Sequence, residues 1–201
     1  MNTAEVWQIV RESQAIIENT HVVYTSGRHG DTYFNKDAIY PNTRAISRLC
    51  QMMAQSYKDE PIDTVVGPAL GAIILSQWTA HYLSAVANRT VYSVYAEKQE
   101  GQFAFRRGYD RWISNRRILL VEDVVTTGGS LSRVVKAVVR NGGTVAGAMV
   151  LCNRGNVTAS QLGIERFGAL VDLSLNSWAP EKCPLCRANV PINREIGRSS
   201  V

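Results

Sequence analysis

Residues 116–130 read RRILLVEDVVTTGGS, and this stretch decides the fold. The apolar run Ile118–Val121 leads into two carboxylates, Glu122 and Asp123. Val124 and Val125 follow, then the small polar loop Thr126, Thr127, Gly128, Gly129 and Ser130. A short continuous apolar run predicts a strand buried on both faces. The paired glycines predict a sharp turn. Beyond it, Leu131, Val134, Val135, Val138 and Val139 recur at helical spacing until Gly142-Gly143 closes the stripe. A strand passing through a glycine turn into a helix is the first half of a parallel crossover unit.

Working outward, the same alternation repeats. IDTVVGPA reads as a strand, LGAIILSQWTAHYLSAV as a helix, TVYSVYAE as a strand, TVAGAMVLCNR as a strand and GALVDLSL as the last strand. The expected fold is α/β: an open, mainly parallel twisted sheet with helices on both faces, in a single domain over 1–201. Upstream, Val6, Ile9, Val10, Ser13, Ile16 and Ile17 predict one helical face. HVVYTSGRHGDTYFNKD reads as a hairpin or ordered loop. Pro41 and Asn42 open a second helix with the stripe Ile46, Leu49, Cys50 and Met53, and Asn42 is its candidate N-cap. Residues 1–40 and 176–201 fall outside the alternation and are expected as a small hood, the tail wrapping the sheet edge. Residues 96–115 lie where a crossover helix is due but lack a helical stripe, which predicts a mobile functional loop.

The chain has 201 residues, 45% hydrophobic and 19% charged, as expected of a soluble globular domain. Its apolar runs are too short and too often interrupted for a membrane span, and the N-terminus does not read as a signal peptide; the expectation is cytoplasmic, with no membrane partner. A net charge of +5 permits nucleic-acid binding. The dense basic patch FRRGYDRWISNRR, with Arg106, Arg107, Arg111, Arg116 and Arg117, accompanies no nucleic-acid motif, so no nucleic acid is expected. There are four cysteines. Cys183 and Cys186 form CPLC, half of a common zinc arrangement, to which Cys152 and one of His21, His29 or His81 would have to be added. A single CxxC favours a tight turn with reduced thiols, so zinc at Cys183 and Cys186 is not expected.

In open α/β sheets ligands bind beyond the C-terminal ends of the strands, where GPALG, EDVVTTGGS and CNRGN converge. Consecutive N–H groups at Gly128 and Gly129, hydroxyls at Thr126, Thr127 and Ser130, and a helix N-terminus together suit a phosphate monoester. The loop is neither a triphosphate P-loop nor a dinucleotide fingerprint. Two buried carboxylates are costly without partners. Either they cap a helix and meet an Arg, or they accept hydrogen bonds from vicinal hydroxyls or hold hydrated Mg²⁺. A ribose 5-phosphate, with a diol at one end and a phosphate at the other, accounts for both features.

ILLVEDVVTTGGS resembles the phosphoribosyl pyrophosphate signature of type I phosphoribosyltransferases. YTSGRHGDTYFNKD, VVGPALGA, YAEKQEGQFAFRRGYD and LCNRG, in that order, resemble segments of orotate phosphoribosyltransferases, and CPLC…VPIN resembles the tail of one bacterial branch. The resemblance implies transfer of the phosphoribosyl group to orotate in pyrimidine (UMP) biosynthesis, with Mg²⁺, in a homodimer with shared active sites. It implies that residues 122–130 (Glu122, Asp123, Val124, Val125, Thr126, Thr127, Gly128, Gly129 and Ser130) bind the donor. Glu122 and Asp123 would take the ribose hydroxyls and support catalysis, with Mg²⁺ near them or carried by the substrate. Gly67, Pro68 and Ala69 would shape the pyrophosphate loop. Lys98 would reach pyrophosphate across the dimer, and Arg154, Thr126, Tyr33 and Phe34 would meet the base. Departures from the pattern are Gln102, the lack of a loop His, and Thr25 and Gly71 where some members carry Lys. Two other functions fit less of the chain: the same transfer to a purine or uracil, and a non-catalytic regulator that senses the donor.

Overall fold

The structure is a computed structural model and describes residues 3–24 and 26–197. The chain condenses into two compact units, one spanning Ile46–Leu173 and one combining Ala4–Ala45 with the chain from Ser174 onward.

In the second of these, α1 (Thr3–Glu12) buries Val6 and Val10. The expected stripe was to continue through Ile16 and Ile17, but the helix stops short. Gln14 takes a left-handed φ of 52° and turns the chain. Ile16–Ile17 is instead the strand β1, followed by β2 (Val22–Val23), β3 (His29–Gly30) and β4 (Tyr33–Phe34). β2 and β3 pair antiparallel, as the expected hairpin requires, and β1 pairs antiparallel with β4. Thr25 lies outside the described residues.

The helix α2 (Thr43–Gln55) begins where expected, with Asn42 Oδ1 accepting the Ala45 N–H at 3.1 Å. Ile46, Leu49, Cys50 and Met53 form its buried face. The sheet follows: β5 (Thr64–Pro68), α3 (Ala72–Ala87), β6 (Tyr92–Gln99), β7 (Gln102–Ala104), β8 (Arg117–Val125), α4 (Gly129–Arg140), β9 (Thr144–Asn153), α5 (Ala159–Leu162) and β10 (Phe167–Asp172). Its order is β10-β9-β8-β5-β6-β7, parallel except for the β6–β7 pair. β8 sits in the interior of the sheet. Ile118 and Leu120 pack in the cluster that includes Leu131, Val134 and Val138 of α4. Leu119 and Val121 face the other way by strand alternation and are equally inaccessible. Burying each such side chain contributes about 1.5–3 kcal/mol, which fixes the register of the strand that carries the carboxylates. Val139, assigned to the buried stripe of α4, is instead 61% exposed, because it lies on the flank of the helix.

Residues 96–115 carry more regular secondary structure than the sequence suggests. β6 runs on to Gln99, Glu100 and Gly101 take positive φ of 48° and 80°, and β7 returns with Gln99 opposite Gln102. This is a two-residue hairpin, and a 3-10 turn over Tyr109–Trp112 completes the segment. Trp178 exchanges backbone hydrogen bonds with His29 at 2.8 Å each way, and the short helix α6 (Pro184–Arg187) follows within the same unit.

Candidate active site

Because β5, β8 and β9 are parallel neighbours, they end on one edge of the sheet, and the three loops singled out in the sequence leave from that edge. After β8 the chain exposes Thr126, Thr127 and Ser130, while Gly128 turns inward with φ 72° and caps α4. Thr127 Oγ1 accepts the Gly129 N–H at 3.4 Å. A helix N-terminus with its first N–H groups and hydroxyls directed outward is an anion site. A side chain at Gly128 would strike Leu162 and Val157, so the tight turn also allows α4 to pack against the segment after β9.

Glu122 and Asp123 are 8% and 6% exposed, inside the C-terminal end of β8. Strand alternation alone would send them to opposite faces. Each also leans along the strand to the next backbone N–H. Glu122 Oε1 accepts the Asp123 N–H at 3.2 Å, and Asp123 Oδ1 accepts the Val124 N–H at 2.6 Å. Val124 and Val125 remain in the strand, so Asp123 and Thr126 are separated by about 10 Å of extended backbone. The acids and the anion loop are therefore neighbours in sequence but distinct stations in space.

The loop after β9 is locked onto the one after β8. Gly155 lies against the Thr126 carbonyl so closely that a Cβ there would sit 1.5 Å from its oxygen. Arg154 N–H donates to Val125 O at 2.8 Å, and its guanidinium donates to Thr126 Oγ1 at 3.1 Å. Asn153, which sequence reasoning passed over, sets this geometry. It is buried, accepts the Val157 N–H at 3.0 Å, and donates to Val157 O and Asp172 Oδ1, each at 3.1 Å. The available signal was an amide ending an otherwise apolar strand, a group that must find partners when buried. The neighbouring Cys152 is sealed in the sheet, where burial raises its thiol pKa to about 12.

At the end of β5, Gly67 packs against Ala72 with no room for a Cβ, since one would lie 2.3 Å from the Ala72 carbonyl oxygen. Pro68 ends the strand, Ala69 N–H donates to Ala96 O at 2.9 Å, and the Ala69–Leu70 peptide is cis. Lys98 is exposed on the β6–β7 hairpin opposite Phe103. Arg107 pairs with Glu97 at 3.0 Å, and Arg106 donates to Gln99. These contacts brace the hairpin. The rest of the basic patch is dispersed: Arg111 lies over the Trp112 ring, and Arg117 pairs with Glu60 at 3.2 Å.

In the other unit, β4 places Tyr33 and Phe34 side by side; Phe34 is buried and Tyr33 half-buried, leaving Tyr33 the more accessible ring. The candidate zinc ligands sort differently from the sequence expectation. Cys183 and Cys186 meet His21 and His29, whereas Cys152 lies in the sheet and His81 packs between Trp78 and Tyr82 on α3.

A phosphoribosyl transferase domain model matches residues 35–179. The orotate phosphoribosyltransferase of Pelotomaculum thermopropionicum is 38% identical over 191 residues, covering 95% of each chain. Mycobacterium tuberculosis orotate phosphoribosyltransferase, solved with 5-phospho-alpha-D-ribosyl 1-diphosphate, superposes with a TM-score of 0.65 at 24% identity, over 87% of this chain and 98% of that one. Adenine phosphoribosyltransferase from Thermoanaerobacter pseudethanolicus superposes almost as well, with a TM-score of 0.63 at 16% identity, over 86% of this chain and 100% of that one. Among the described residues, no helix is long and apolar enough to cross a membrane.

Proposed function

The chain belongs to the phosphoribosyl transferase domain family, and on that premise we propose that it transfers the 5-phosphoribosyl group from phosphoribosyl pyrophosphate to orotate. The products are orotidine 5-phosphate and pyrophosphate, on the route to UMP. The observation that carries this reading is the lock between the two loops: Arg154 is held on Thr126, at the mouth of the TTGGS turn. A guanidinium there suits a base with a carboxylate and carbonyl-rich edge.

In this reading the turn from Thr126 to Ser130 takes the 5-phosphate through backbone N–H groups, hydroxyls and the α4 dipole. Glu122 and Asp123 accept hydrogen bonds from the ribose hydroxyls. The spacing along β8 matches a ribose phosphate with a hydrogen bond at each end. As the bond from the anomeric carbon to pyrophosphate breaks, the two carboxylates face the growing positive charge, and the base nitrogen forms the new bond. Lys98, on an exposed hairpin, meets the negative charge gathering on the departing pyrophosphate, reaching into the site of a second subunit in a cytoplasmic homodimer. Gly67, Pro68 and Ala69 lie along that leaving group. Closure of the hairpin excludes water from the sugar cation. The hard oxygens of two adjacent buried carboxylates suit Mg²⁺, which, brought in with the donor, would supply charge neutralisation at the pyrophosphate oxygens.

The fold does not choose the base, since an adenine phosphoribosyltransferase superposes nearly as well as an orotate phosphoribosyltransferase. Incubation with donor, Mg²⁺ and a panel of orotate, uracil, adenine, guanine and hypoxanthine, following pyrophosphate release, tests the assignment. Release confined to orotate is expected. Turnover on a purine alone would remove the orotate assignment, and donor binding without turnover on any base would turn the protein into a sensor.

A further inference from the structure

We propose that His21, His29, Cys183 and Cys186 bind one zinc ion as a closed structural site that ties the N-terminal hairpin to the C-terminal tail. The inference does not depend on which base the enzyme takes.

The four ligand atoms all lie within 4.8 Å of one another. His21 Nε2 is 2.9 Å from His29 Nδ1, and lies 3.6 Å from Cys183 Sγ and 3.7 Å from Cys186 Sγ; Cys186 Sγ is 3.3 Å from His29 Nδ1. A tetrahedral zinc with ordinary bond lengths sets nitrogen–nitrogen, nitrogen–sulfur and sulfur–sulfur separations of about 3.3, 3.6 and 3.8 Å. The side chains already stand within a few tenths of an ångström of most of these spacings. His21, His29 and Cys183 are buried and Cys186 is half-buried, so an ion here would be held by protein atoms away from bulk water.

The surroundings orient the ligands as a metal site requires. The second nitrogen of His21, Nδ1, lies 2.7 Å from the Val190 carbonyl. A carbonyl only accepts, so Nδ1 carries the proton and Nε2 turns its lone pair inward. Backbone bonds fix each ligand's position. His29 is paired with Trp178 in both directions, and the His21 carbonyl accepts the Asn193 N–H at 2.7 Å. Cys183 N-caps α6, its carbonyl accepting the Arg187 N–H, and Asn189, at φ 54°, closes the turn by donating to the Cys186 carbonyl at 3.0 Å. Two sulfurs from a tight CxxC turn and two imidazoles from a hairpin make an S₂N₂ donor set, which in tetrahedral coordination selects zinc among common divalent ions.

The hairpin and tail have reason to need such a tie. The Val22, Tyr24 and Ile196 cluster beside the hairpin is small, backed by Ile17, Tyr33 and Leu175. The strands beside the histidines, β2 directly after His21 and β3 beginning at His29, are two residues long. Segments with this little apolar surface are commonly stapled by a metal. The tie joins residues 162 positions apart, so it removes a large loop-closure entropy from the unfolded chain.

The test uses the full chain without an affinity tag, purified and assayed for metals by mass spectrometry. One zinc per chain is expected. Replacing zinc with cobalt should give tetrahedral visible bands and a thiolate-to-cobalt charge-transfer band. The Cys183→Ser/Cys186→Ser variant should lose the zinc and the charge-transfer band. Cys152→Ser and His81→Ala should keep both. Chelation should lower Tm by roughly 10 °C or more, because metal binding here is folding energy. Wild-type protein without stoichiometric metal, iron in place of zinc, a Cys183–Cys186 disulfide in the freshly isolated chain, or zinc retained by the double variant would each overturn the proposal. If the double variant does not fold, the wild-type stoichiometry and cobalt spectrum still decide it.

Discussion

Replacing Gly155 by alanine adds one methyl group at the point where the two ligand loops touch. That methyl would lie 1.5 Å from the Thr126 carbonyl oxygen and 2.4 Å from its carbonyl carbon, where real side chains keep at least 3.0 Å. The obstruction is backbone, so no rotamer change relieves it. The loop after β9 and the turn after β8 must separate by more than an ångström, or one of them must rotate. Either movement disturbs Arg154 on Thr126 and the N–H groups of the TTGGS turn together. Overpacking of this kind costs about 1–3 kcal/mol of stability, corresponding to a Tm fall of roughly 2–12 °C for a chain of this size. Displacing a binding group by about 1 Å can cost on the order of 10²-fold in rate. Gly155→Ala should therefore lose about 10²-fold in kcat/KM for phosphoribosyl pyrophosphate, measured by pyrophosphate release, together with the Tm fall. Gly129→Ala is the control for folding. Its new methyl would meet only Thr127 Oγ1 at 3.5 Å, and its Tm should hold. A Gly155→Ala protein with wild-type donor kinetics and Tm would refute the claim that the close loop contact builds the site.

Asp123→Asn keeps an oxygen for the Val124 N–H but removes the charge. We expect kcat/KM to drop by about 10²–10³-fold; unchanged turnover would remove Asp123 from the proposed ribose site. Lys98→Ala on the exposed hairpin should lower kcat by about 10²-fold without moving Tm, and a Tm loss matching the activity loss would make Lys98 a structural residue instead. Burial raises the Cys50 and Cys152 thiols to about 12 from 9.0, and burial first, then Glu60, raises Tyr57 to about 12 from 10.0. These groups ionise earlier in the unfolded chain, so the native state is favoured below pH 9 and loses that advantage as pH climbs toward 12, by about 1.4 kcal/mol per group per unit of pH. Urea unfolding of the wild type should steepen in its pH dependence above pH 9 relative to Cys50→Ala/Cys152→Ala, and parallel curves would show that the thiols do not contribute.

Central features were legible where one segment contains its own explanation. β8, its carboxylates and its turn follow from a run of fifteen residues, and the structure places strand, acids and helix start in that order. Asn42 could be read as a cap because the cap bond is local. The 96–115 segment was harder. Its Glu100-Gly101 turn needs two positive φ values, and Glu is an uncommon residue there compared with Asn or Asp. β7 has a single buried side chain, Phe103, so its pairing depends on β6 and leaves little periodicity of its own. The end of α1 depended on a left-handed Gln14, which no composition rule marks. His21 and His29 were candidates for a single fourth ligand beside Cys152, and that both meet Cys183 and Cys186 could not be read because the pairing spans most of the chain.

The presence of two acids just before an anion-binding turn is resolved by the geometry of the strand. In a helix, residues three and four apart share a face, and carboxylates there would oppose the phosphate. In an extended strand each residue advances the chain by about 3.3 Å, so two intervening valines carry Thr126 well beyond Asp123. Those valines stay in the sheet, paired with Cys152 and Asn153 of β9, and the spacing is as rigid as the core itself. Rigidity matters because a flexible spacer would let the carboxylates approach the bound phosphate and repel it. The same register carries Asn153 to the level of Val125, and Asn153 fixes the loop that holds Arg154. The spacing from the acids to the turn and the position of Arg154 are thus set by one strand pairing, so under the proposed roles a shift of β9 against β8 would disrupt donor and base recognition together.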